Sequence, residues 1–256
     1  MSAKGVQDAG TASSLGSEAV PAKRPQARER PILFKAPMVR ALLAGTKTQT
    51  RRIMDPQPEP MPADVGRMSP YDDTGYWWSS TKAKSMVTMH DAPCMSPYGY
   101  KGDRLWVKET WRPTHGHGHG PCECSSVRIA YAADGGWKEF APEAVDVDWK
   151  IPKAALRGKN VTPLFMPRWA SRITLEVTGV RVERLQDVSE EDAEAEGVAS
   201  LDGEIDEVAL CAKAKAMGLT TDDARAWFAT LWGSINGDSA WDANPWVWVI
   251  SFRRLP

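Results

Sequence analysis

The stretch "RITLEVTGVRVER", Arg172–Arg184, alternates apolar and polar residues and then changes phase. Ile173, Leu175 and Val177 share one face, whereas beyond Gly179 the apolar positions are Val180 and Val182. Side chains alternate across a strand with a period of two, so a slip of phase at a glycine predicts a bulge or the sharp bend of a barrel strand.

The neighbouring segments extend the pattern. Downstream, Ser189-Glu190-Glu191-Asp192 has the form of a capping box that opens a short helix ending at Gly197. A helix is expected over Ile205–Met217, stopped by Gly218, and a more strongly apolar one from a Thr221 cap through Trp227, Phe228, Leu231 and Trp232. The stretch "PWVWVISF", Pro245–Phe252, is apolar on both faces and reads as a central buried strand. Upstream, Arg104–Glu109 alternates as a strand after the turn Lys101-Gly102-Asp103, and Ile32-Leu33-Phe34 reads as a short strand. Pro37 suits a first helical turn, Met38–Leu43 supply an apolar stripe, and Gly45 is placed as the C-terminal cap. Short, bent strands with helices between them predict an α+β fold, a small mixed β-barrel with flanking helices.

Residues 1–30 are rich in Ala, Gly, Ser and charge and poor in large apolar side chains. They are expected to form a disordered tail, with one domain over 31–256. Two long stretches, about 54–100 and 112–167, are expected to be irregular insertions, with a strand at Val127–Ala132 in the second. A formal net charge of -1 argues against coating nucleic acid by bulk charge but leaves room for a local basic patch. No run approaches the roughly 20 apolar residues of a membrane span, so no membrane partner is expected. No secretion signal is seen at the N-terminus, and four cysteines without a regular framework fit a reduced, cytoplasmic protein.

One basic stretch remains, "AGTKTQTRR", Ala44–Arg52. Its Gly45-x-Lys47-x-x-Thr50-x-Arg52 spacing resembles the signature of the ASCH domain, a PUA-like β-barrel family. The stretches "YGYKGDRLWVKETW", "MPRWASRITLEVTGVRVERLQDVSEEDAEAEGV" and "WDANPWVWVISFRR" are similar to the longer phage and prophage members of that family. The resemblance covers about 31–256 and implies a PUA-like barrel interrupted by the two insertions. It also implies one of two functions. Some small bacterial ASCH proteins are amidohydrolases that deacylate N4-acetylcytidine and related N4-acylcytosines, whereas other relatives bind RNA or a modified nucleotide without turning it over. Carried over residue by residue, the catalytic Lys, Thr and Glu fall on Lys47, Thr50 and Glu196, with Glu194 a neighbouring rival in the same acidic run.

The chemistry is consistent with those residue types. Amide hydrolysis needs a nucleophile, a base and stabilisation of an oxyanion, and a Thr hydroxyl with a neutral Lys can act without a metal or other cofactor. Lys47 would have to be desolvated or set beside cations, and Arg51 and Arg52 supply these. Residues 47 and 50 of a straight strand face opposite ways, so the pair requires a turn between them. Glu196 lies three residues after Ala193, so both share a helix face, and a carboxylate in a last helical turn calls for local compensation. The alternative is an ion pair between the acidic 183–206 segment and the basic loop.

Arg52 is a further substrate-binding candidate. Glu109 is either a buried acid near the pocket or exposed, depending on which strand face is interior. Arg168 and Trp169 either clamp a phosphate and stack a base or simply pack under a loop. His90, Cys94, His115, His117, His119, Cys122 and Cys124 cluster in sequence, but the Gly-spaced histidines and Cys-x-Cys spacing favour adventitious over dedicated zinc binding, so no metal is assigned.

Overall fold

The structure, a computed structural model, describes residues 27–61, 75–79, 86–115, 126–201 and 203–256. The elements in chain order are β1 (Glu29–Leu33), α1 (Ala36–Ala44), β2 (Gln49–Ile53), β3 (Glu59–Pro60), β4 (Tyr76–Ser79), β5 (Met86–Thr88), β6 (Arg104–Lys108) and β7 (Trp111–His115). They continue with β8 (Val127–Tyr131), β9 (Trp137–Phe140), α2 (Lys153–Leu156), β10 (Thr174–Arg184), α3 (Glu190–Ala195), α4 (Glu207–Met217), α5 (Ala224–Asn236) and β11 (Trp246–Arg254). The fold is mixed α+β, and no helix of the described residues is long and apolar enough to cross a membrane.

The main sheet has five strands in the order β1-β6-β10-β11-β2. β1 runs parallel to β6 and the remaining pairs are antiparallel. The ladder ends at β1 on one side and β2 on the other, so the described strands form an open sheet rather than the closed barrel expected from the bent strand. The bend itself is present: the β10–β11 register shifts between Val177 and Gly179, where the apolar phase slips. The bulge accommodates curvature without closing the sheet.

β11 holds the inner position that its two-sided apolar sequence predicts, with Val247, Trp248, Val249 and Ile250 at most 1 % exposed. Met38, Val39 and Leu42 of α1 join the same core, as do Phe228 and Trp232 of α5. Gly45 ends α1 in the left-handed region at φ 80°, and Gly218 ends α4 in the same way. Two boundaries differ from expectation. β1 starts at Glu29, ahead of Pro31, because Asp103 ties down the preceding turn of chain. α5 is capped by Asp223 rather than Thr221, since the Asp223 carboxylate accepts the Arg225 N–H at 2.8 Å. Residues 1–26 lie outside the described residues.

Both insertions contain regular structure. The first carries a small sheet, β3-β4-β5, whose Trp78 meets Trp248 edge-on at 5.1 Å. The second carries the sheet β7-β8-β9 and a separate apolar cluster of Trp111, Ile129, Tyr131, Phe140, Val161 and Met166. Its strands are short and only β8 carries a clear strand pattern, which is why local pattern marked only one of them.

Asp103 serves as the anchor for the edge strand. Its Oδ1 accepts the Arg28 N–H at 3.0 Å, and its Oδ2 accepts Arg30 Nη1 at 2.8 Å and the Tyr100 N–H at 3.2 Å. Replacing Asp103→Ala is expected to cost about 1–2 kcal/mol. Amide exchange should accelerate in β1 before it does in β11, as read by hydrogen–deuterium exchange.

Candidate functional site

The site begins with how α1 ends. The Ala41 carbonyl accepts the Thr46 N–H at 3.0 Å and the Lys47 N–H at 3.2 Å, which folds the chain back sharply before β2 begins. The Thr48 N–H then donates to Ala195 O at 2.9 Å, joining this turn to the end of α3. These bonds set the turn at Gly45 and Thr46, ahead of Lys47, rather than between Lys47 and Thr50 as the pair was expected to require. Both side chains line one cavity of about 550 Å³, together with Phe34, Arg51, Arg52 and Glu196. That volume lies within the range of small-molecule sites.

Glu196 reaches the same cavity from the end of α3. Ser189 caps this helix by accepting the Asp192 N–H at 3.1 Å, as the capping-box pattern predicts. Ala193 is fully buried and Glu196 3 % exposed, so the shared face is the inner one, whereas Glu194 is exposed. Lys47 Nζ donates to Glu196 Oε2 at 2.7 Å and to the Glu196 backbone carbonyl at 2.8 Å. The one ammonium thus compensates both the carboxylate and a terminal carbonyl of the helix. Gly197 permits this approach. It has φ 84°, and a Cβ there would lie 2.8 Å from Ala41 Cβ and 2.9 Å from Lys47 Cβ.

Arg51, expected as a cation beside Lys47, has a more specific position. Its side chain is fully buried and pairs with Glu183 at 2.5 Å, Asp192 at 2.8 Å and Glu196 at 3.3 Å. Arg181 bonds the same Glu183 and Asp192 from the outer side. Burial opposes the Arg51 charge, but the carboxylates outweigh it and hold its pKa above the ordinary value. Burial pushes the Lys47 pKa below its ordinary 10.5; Glu196 opposes this, and Arg52 and Arg51 add to the lowering. The acidic segment and the basic loop do pair, as the ion-pair alternative expected, and the pairing occurs on the cavity wall. The Thr50 hydroxyl makes no hydrogen bond among the described residues.

Arg52 also lines the cavity. Its guanidinium lies 5.1 Å from the Phe34 ring and donates from Nη2 to Leu33 O at 2.5 Å. Burial lowers its pKa, with Tyr98 and Glu196 opposing. Tyr98 and Pro163 join the lining from the inserted segments, and Thr110 from the stretch between them.

Three other candidates do not belong to this cavity. Glu109 is buried, as one reading allowed, but Arg172 holds it through a fork of two bonds at 2.9 Å, and only its neighbour Thr110 lines the cavity. Arg172 also binds Asp134 and lies 4.0 Å from the Tyr131 ring, so this cluster joins the main sheet to the second insertion. Burial raises the Glu109 pKa and Arg172 counteracts it. Arg168 pairs with Glu29 at 2.8 Å, and Trp169 packs edge-on against Phe140 and Trp149, the packing alternative. Among the described residues no group of three His, Cys, Asp or Glu is placed to hold a metal. His117, His119, Cys122 and Cys124 lie outside the described residues, as does the His115 side chain.

Substituting Gly197→Ala tests how closely the elements meet. The strained φ and the contact with Lys47 Cβ predict a loss on the order of 2–3 kcal/mol, measured by urea unfolding.

The chain matches no family model, no curated protein and no solved structure.

Proposed function

We propose that the protein is a metal-independent amidohydrolase that removes the acyl group from N4-acylated cytosine nucleosides, in keeping with its resemblance to the PUA-like ASCH family. The observation that supports this reading is a buried Lys47–Glu196 pair on the wall of a cavity that Thr50 also lines. In this reading a deprotonated Lys47 takes the Thr50 hydroxyl proton as Oγ attacks the acyl carbon. The resulting ammonium faces the oxyanion and stabilises it. Collapse expels the cytosine amine, which takes a proton relayed through Lys47 and Glu196. A water then cleaves the acyl-threonine ester, giving the carboxylic acid and restoring Thr50. Arg51 does not enter the proton transfers; it fixes Glu196 from the far side and keeps the carboxylate aimed at Lys47.

The rival reading, an RNA-binding module, relies on Arg51 and Arg52 at a phosphate backbone. The Arg51 side chain is 0 % exposed and engaged by three carboxylates, which leaves that reading one cation fewer and favours the small-molecule one.

Incubation with N4-acetylcytidine should release cytidine, followed chromatographically. Lys47→Ala and Thr50→Val should each lower turnover about 100-fold or more. Absence of turnover in the native chain, or full activity in Lys47→Ala, would refute the reading. The pH profile supplies a signed prediction. The neutral amine is the reactive form, so the rate rises with pH and levels off above a pKa lower than the ordinary 10.5. Arg52 helps to lower that pKa, so Arg52→Gln should shift the rising limb to higher pH.

A further inference from the structure

The charged residues lining the cavity are unequal in sign. Among the described residues Lys35, Lys47, Arg51 and Arg52 supply four cations, and Glu196 is the single carboxylate. The chain as a whole has a formal charge of -1, so this excess is local. Glu196 is already shared between Lys47 and Arg51, and Glu183 and Asp192 hold Arg51 as well. Arg52 and Lys35 have no carboxylate partner among the described residues. Arg52 spends one Nη on the Leu33 carbonyl, and its Nε is buried without an acceptor. A guanidinium edge left in that condition bears a desolvation cost that a bound oxygen acceptor recovers.

The surroundings of Arg52 suit such an acceptor. Tyr98 lines the same cavity and is close enough for its phenol to influence the Arg52 charge. Lys35, Ala36 and Met38, at the start of α1, also line the cavity, and that start has no side-chain cap. The Phe34 ring backs the guanidinium, and Nη1 makes no hydrogen bond among the described residues, which leaves it to donate to a ligand oxygen.

We propose that the substrate carries an anionic oxygen group, a phosphate or a carboxylate, seated on Arg52 with Lys35 and the Tyr98 hydroxyl beside it. This rests on the reading of the cavity as a deacylating site. The substrate is then an N4-acylated cytosine nucleotide, or a nucleoside whose acyl group ends in a carboxylate, in preference to a neutral nucleoside.

Calorimetric titration of the full chain at low salt distinguishes the two sources. Cytidine 5′-monophosphate against cytidine tests the phosphate, and succinate against cytidine tests the carboxylate. At least one anion should bind about 10-fold more tightly than cytidine, and Arg52→Gln should remove that advantage. Arg52→Lys keeps a charge and an apolar stem but loses the fork, so it should weaken the same anion about threefold or more even if the Gln variant does not fold. The proposal is overturned if neither anion outbinds cytidine, or if the folded Arg52 variants bind the anion as the native chain does. None of these measurements requires turnover. Arg52-dependent anion binding without deacylation of N4-acetylcytidine would uphold the anion site and remove the amidohydrolase; deacylation without anion preference would do the reverse.

Discussion

The Glu196 carboxylate, shared between the Lys47 ammonium and the Arg51 guanidinium, is the contact on which the arrangement of the site depends. Buried charges are tolerated only when paired and hydrogen-bonded. Here the requirement draws together the turn after α1, the strand β2 and the end of α3. Removing one member would leave another charge uncompensated, so the elements that carry them are fixed relative to one another. Burial, opposed by Glu196, leaves the Lys47 proton less firmly bound than in water.

Around that contact the chain divides the work. The edge strand β2 and α5 line the cavity, while Tyr98, Thr110 and Pro163 are supplied by segments outside the strands of the main sheet. The second insertion is more than a loop. It has its own apolar cluster and is clamped to the main sheet by Arg172 between Glu109 and Asp134. That clamp explains why a buried acid appears at Glu109 without facing the cavity.

Much of this was legible in the sequence where the determinants are local. The phase slip at Gly179, the Gly45 cap, the Ser189 capping box and the burial of Pro245–Phe252 each depend on a few neighbouring residues. Helical spacing puts Glu196 on the face of Ala193; that this face is the inner one, which separates Glu196 from Glu194, is seen in the fold. Only β8 of the β7-β8-β9 sheet was legible, because the short segments that pair with it, Trp111 with Tyr131 and Phe140 with Val127, leave no periodic trace of their own. The open sheet was also misread: a bulge bends a strand whether or not its sheet closes, so the sequence signal does not separate the two outcomes. Trp169 illustrates a related limit, since an aromatic in a loop has the same local sequence whether it stacks on a ligand or on Trp149. The role of Arg51 was not legible because its partners Glu183 and Asp192 lie 132 and 141 residues away, and only the fold brings them to β2.

The Ala41 carbonyl gives the site a fixed phase. It accepts the backbone N–H groups of both Thr46 and Lys47, so the lysine's starting point is referenced to one angular position on α1. Adding or deleting one residue ahead of Ala41 within that helix would turn the carbonyl by about 100° relative to the face packed on the sheet. The length of α1 is therefore a catalytic dimension in the proposed reaction, although none of its side chains takes part in the proton transfers.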